Sequence, residues 1–185
     1  MIGWLLLAVA AQAQPSEDPC ARADACREVS TVRIENAAGK ETLLPINQKL
    51  PWVVQDNLLL VPGDWIIIRL ANREDALVPE LVKAGDGGEA PDPTSGEIRV
   101  KVHAFSKGSL IMEVLSQRPE TLDYAAMVVV GRDNAQRTSV CSLMPGVPVF
   151  ESWQWPIRQI ALWSFRPTTD PGCKKVEFKV NAVSK

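Results

Sequence analysis

An all-β fold, a two-sheet antiparallel β-sandwich, is what this chain predicts, on three observations. Apolar and polar residues alternate with period two in several segments. No segment sustains a helical period, and Gly, Pro and Asn punctuate the chain at short intervals. Together these predict about eight or nine short strands and at most one short helix.

In chain order, Val32 and Ile34 alternate with Arg33 and Glu35, and NAAGKE after them supplies a turn. NLLLVPGDWIIIRL reads as two apolar strands, or one bent strand, broken at Pro62-Gly63-Asp64. Its near-continuous apolar character suits central positions in a sheet. REDALVPELVKA is the one candidate helix, with Asn72 as its N-cap and Pro79 limiting it to a turn or two. KAGDGGEAPDPTSG after it reads as a mobile surface loop. EIRVKVHAF places Ile98, Val100 and Val102 on one face and Arg99, Lys101 and His103 on the other, and forms a hairpin with SLIMEVLSQ. YAAMVVVG and QRTSVCSL make a second pair around Arg132-Asp133-Asn134. RQIALWSF and KKVEFKV close the chain, with Val176, Phe178 and Val180 expected to face inward.

Tyr124, the only tyrosine, stands where a connection enters an apolar strand. This resembles the tyrosine corner of Greek-key sandwiches, whose hydroxyl bonds back to the preceding backbone. VPGDWIIIRL in turn resembles strands of cupredoxin-type sandwiches. The resemblances imply an immunoglobulin-like or cupredoxin-like Greek key.

The N-terminus sets the compartment. An uncharged apolar run from Ile2 to Ala10 precedes Ala11-Gln12-Ala13, the pattern of a secretory leader at residues 1–13. The run is too short to span a bilayer, which takes about 20 apolar residues. Residues 14–28 then form a disulfide-closed segment and 29–185 a single domain. Export makes Cys20, Cys26, Cys141 and Cys173 disulfide candidates. Cys20–Cys26 and Cys141–Cys173 are the favoured pairs, because the first closes a local loop. Loop entropy gives the shorter bridge roughly 2 kcal/mol and the longer about 3.5 kcal/mol. The spacing of Cys20 and Cys26 does not suit zinc.

Catalytic chemistry is sparse. His103 is the lone histidine and lies on a charged strand face, where a general base is out of place. A blue-copper site needs two histidines, so Cys141 and Met144 do not make one. Glu113, Glu120 and Asp123 are scattered, and Asp86, Glu89 and Asp92 lack the order of a calcium loop. No cofactor or metal is expected. The net charge of −2 gives no footprint for nucleic acid, and no polybasic run suggests a membrane anchor after cleavage.

Tryptophan is the enriched residue type. Trp153 and Trp155 share a side if FESWQW is a strand, with Arg158 behind them, and Trp52 follows Pro51 in a loop-like approach. Exposed, these four would form a ligand surface for a glycan or protein partner in the envelope; buried, the Trp153/Trp155 pair would cap one end of the core. Trp65 and Trp163, inside apolar strands, are expected in the core. The expected function is an exported, non-enzymatic binding or structural module of the periplasm or envelope. The alternatives are a carboxylate-dependent hydrolase acting on glycans and an assembly component with an open strand edge.

Overall fold

Alternation dominates the observed architecture, which is all-β and built of antiparallel sheets. The structure, a computed structural model, describes residues 18–22, 24–35, 38–106, 108–131, 134–154 and 156–176. The expected leader lies outside these residues, as do Phe178 and Val180. In chain order the strands are β1 (Cys26–Glu35), β2 (Glu41–Pro51), β3 (Val53–Val54), β4 (Asn57–Leu60), β5 (Asp64–Arg73), β6 (Ala76–Asp86) and β7 (Glu97–Ser106). They continue with β8 (Ser109–Ser116), β9 (Leu122–Val130), β10 (Asn134–Thr138), β11 (Val140–Cys141), β12 (Val149–Trp153), β13 (Ile157–Pro167) and β14 (Cys173–Lys174). More strands appear than expected because three are two-residue fragments and because ETLLPINQKLP, whose alternation is weak, pairs in register with β1.

Ten strands form one sheet: eight follow the path β10-β9-β13-β6-β5-β7-β8-β12, β4 pairs with β13, and β3 pairs with β4. Its two halves meet only at the pair Phe165↔Leu77. Both halves bury their inner faces in one cluster: Leu58, Val128, Ile160 and Leu162 from one side, Ile66, Ile98, Val100 and Met112 from the other. Burying such aliphatic side chains contributes roughly 1.5–3 kcal/mol each.

The expected helix is strand β6 instead. Glu74 and Asp75, at φ 46 and 67, make a two-residue turn that closes Arg73 against Ala76. Counting from that closing pair, Pro79 opposite Leu70 falls at a non-hydrogen-bonded position, so its missing N–H interrupts no bond to β5. Tertiary pairing overrides the local helical pattern. The stretch read as a mobile loop is also tied down. Its first residues extend β6, and Trp65 Nε1 donates to Gly87 O at 3.1 Å. Arg99 Nη1 reaches Asp92 at 2.7 Å, and Thr94 N donates to Glu97 at 2.8 Å. Val176 is 38 % exposed rather than inward-facing. Tyr124 makes no tyrosine corner: its side chain points into the core, where the ring stacks on Phe165 at 5.9 Å. Its hydroxyl is buried without a hydrogen-bond partner among the described residues.

The β1–β2 hairpin carries a small core of its own, Val29, Val32 and Ile34 against Val61. A buried charge pair anchors it. Arg27 bonds the Asp64 carboxylate, also reaches Leu59 O at 3.4 Å, and lies 3.8 Å over the Trp52 ring. Asp64, 1 % exposed, further accepts the Val61 N–H at 2.6 Å. Burial pushes the Asp64 carboxyl up to about 6, against the opposing pull of Arg27 and the Val61 N–H.

Two measurements check this packing. A carboxyl raised in the folded state holds its proton where the unfolded chain releases it. Its contribution is therefore complete below pH 4 and lost as pH rises through about 6. Unfolding free energy should fall across that window, and Asp64→Asn should flatten the slope; an unchanged slope contradicts the assignment. Gly85 faces Trp65 across β5–β6, and an added Cβ would meet the indole at 2.6 Å and 2.8 Å. Gly85→Ala should lose about 1–3 kcal/mol in denaturant unfolding.

Candidate functional site

Of the two places open to the tryptophans, ligand surface or core, Trp153 and Trp52 take the core. Trp153 is 6 % exposed, and its Nε1 donates to the Thr138 hydroxyl at 2.8 Å inside the core. Trp52 is 4 % exposed beneath the Arg27 guanidinium. Both are therefore core residues, because each finds its polar partner inside the fold. Arg158 is half-buried and lines a shallow groove with Ile46, Gln48 and Leu50, away from Trp153. Trp155 lies outside the described residues. The cysteines are bonded as Cys20–Cys26 and Cys141–Cys173.

A different constellation does converge, on the outer face of β10, β9 and β13. Alternation along β9 turns Tyr124, Ala126 and Val128 inward and leaves Ala125 and Met127 partly exposed outside. Register carries that sidedness to the neighbours: Arg137 pairs with Met127, Trp163 with Ala125, and Arg166 with Asp123. Trp163 is thus only half-buried. Its expected core placement is overturned, because Ile160 and Leu162 take the inner positions of β13. The Arg137 guanidinium lies 5.8 Å from the Trp163 ring centroid, within cation–π range.

Between Trp163 and Arg166 the register shifts, and Ser164 adopts φ 55. A non-glycine residue in this region is uncommon, and such strained bulges gather beside functional clefts. Here the bulge lets Trp163 and Arg166 both point outward. The opposite wall is the segment Lys174–Val176. The disulfide Cys141–Cys173 and the pair Val140↔Lys174 hold it in place. These residues enclose a groove of about 270 Å³, with Ala125 on its floor.

Charge beside the groove is organised around Asp123. Its carboxylate accepts the Ser142 hydroxyl at 2.7 Å, bonds Lys174, and has Arg166 at 3.9 Å. Burial is the largest influence on this carboxyl and pushes it up. The hydrogen bonds from Lys174 and Ser142, with the charges of Lys174 and Arg166, together outweigh burial and hold it below the ordinary carboxylate range. One buried carboxylate thus serves two cations, and Arg137 has no ion-pair partner among the described residues. The groove carries surplus positive charge next to an aromatic face. Ser142 is not a poised nucleophile: its hydroxyl points at a carboxylate and Gly172 N donates to it.

The other acids expected to be scattered are so, and each has a basic partner. Asp92 and Glu113 share Arg99, and Glu120 bonds Arg118. No cluster of metal ligands forms among the described residues. Arg137, Arg166 and Lys174 carry no local motif, since they lie on three separate strands. The period-two pattern of Ile160-Ala161-Leu162-Trp163 is the one sequence signal that could have placed Trp163 outside.

The chain matches no family model, no curated protein and no solved structure. Its function therefore has to come from this geometry.

The Trp153–Thr138 bond has a direct test. Thr138→Val leaves a buried indole N–H without an acceptor and should lose about 1–3 kcal/mol in denaturant unfolding. Adding Trp153→Phe removes the orphaned donor, so the double variant should lose less than the two single losses combined.

Proposed function

We propose that the chain is an exported, non-enzymatic binding module, a two-sheet β-sandwich that takes an anionic ligand in the Trp163 groove. The observation that carries this reading is one groove lined by Arg137, Arg166 and Lys174 together with a partly exposed indole. Cations beside an aromatic face bind flat or ring-bearing anions, with charge supplying attraction and the indole supplying area. Two disulfides accord with an oxidising compartment. Two half-sheets sharing one core support the sandwich. A carboxylate hydrolase draws less support, because Asp92, Glu113, Glu120 and Asp123 are dispersed and each is paired with arginine or lysine.

A second reading, an assembly component that accepts a partner strand, draws on β12. This strand ends the sheet path and leaves Phe150 59 % exposed, following Met144 and Val147, which are also exposed.

Titration with small anionic and neutral compounds tests the groove. Binding should be restricted to anions, fall with added salt, and weaken about tenfold in Arg137→Gln, Arg166→Gln or Trp163→Ala. Unfolding midpoints of the arginine variants should stay near that of the parent. Equal binding of neutral compounds, or indifference to all three changes, overturns the reading.

A further inference from the structure

Strand register sets the spacing of the cations along the groove. Met127, Ala125 and Asp123 occupy successive outer positions of β9, opposite Arg137, Trp163 and Arg166 in turn. Arg137 on β10 and Arg166 on β13 therefore stand four residues apart along the strands and two strands apart across them. At roughly 3.4 Å per residue and 4.8 Å per strand, their backbones lie about 16 Å apart, with Trp163 between. Each cationic head is engaged in its own half of the groove: Arg137 over the indole, Arg166 towards Asp123. A ligand carrying two separated anionic groups engages both cations at once.

We infer that the ligand is an extended polyanionic glycan laid diagonally across β10, β9 and β13. One anionic group meets Arg137, one sugar ring lies on Trp163 above Ala125, and a second anionic group meets Arg166 and Lys174. This rests on the reading of the groove as an anion site and specifies its ligand. An acidic peptide fits less well. Peptides docking on sheets add a strand to a free backbone edge, whereas the groove lies over the face of β9, which β10 and β13 pair on both sides. Side chains must do the recognising, and an indole platform suits the apolar face of a sugar ring. Nucleic acid fits less well, because single strands stack successive bases on several aromatic side chains and the outer face of this groove offers one indole.

The test is an affinity series with galacturonic acid, from monomer to hexamer, beside poly-L-glutamate, inorganic phosphate and neutral cellohexaose. Affinity should rise at least about tenfold from monomer to the oligomer that spans both arginines, then level off. In the double variant Arg137→Gln/Arg166→Gln, with its unfolding midpoint unchanged, that oligomer should bind no better than the monomer. Persistence of the length gain in the double variant overturns the inference. So does equal or tighter binding of poly-L-glutamate or cellohexaose. Phosphate binding as tightly as the oligomer sinks the extended ligand while the anion groove stands. Failure of every anion to bind sinks both.

Discussion

Trp153 and Thr138 sit on the two strands that end the sheet path, β12 and β10, and the hydrogen bond between their side chains brings those ends together. Beside it, the Glu151 carboxylate accepts the Cys141 N–H at 2.7 Å. Two polar contacts thus close what the backbone ladder leaves open. The outer face of β10, β9 and β13 depends on that closure, because β10 holds Arg137 in place with β9 as its one ladder partner among the described residues. A buried indole N–H without an acceptor would be unfavourable, so the bond also selects one arrangement of the two ends.

Electrostatics elsewhere in the molecule consist mostly of satisfied pairs. Arg27 is used by Asp64, Arg69 by Glu97, Arg99 by Asp92 and Glu113, and Arg118 by Glu120. These pairs pin turns and neighbouring strands. Beside Trp163, two cations share the Asp123 carboxylate and a third, Arg137, has no ion-pair partner among the described residues. A chain of net charge −2 can therefore present a positive site, since local field follows placement and not the total.

Much of the fold was legible in the chain. The alternation of Ile98, Val100 and Val102 and the turn at Pro62-Gly63-Asp64 are carried by a few adjacent residues, and the structure has both. Two failures share one cause. REDALVPELVKA has apolar spacing compatible with either period, and only pairing with β5 decides between them. ETLLPINQKLP is half-exposed and so lacks the contrast that marks a strand. The site was hardly legible at all. Trp163 looked like core because its neighbours are, while Arg137, Arg166 and Lys174 become neighbours only through register and a disulfide. The strained backbone at Ser164 has no sequence signature, because serine is not a residue that advertises a positive φ.

Lys174 meets Asp123 across 51 residues of sequence, and Ser142 meets Gly172 across 30. Contacts of such separation form late, after the chain has already lost the entropy of closing shorter loops. Completion of the groove is thus coupled to completion of folding and oxidation. The sheet face of the groove stands on backbone ladders, whereas the wall opposite it stands on long-range closure and a disulfide.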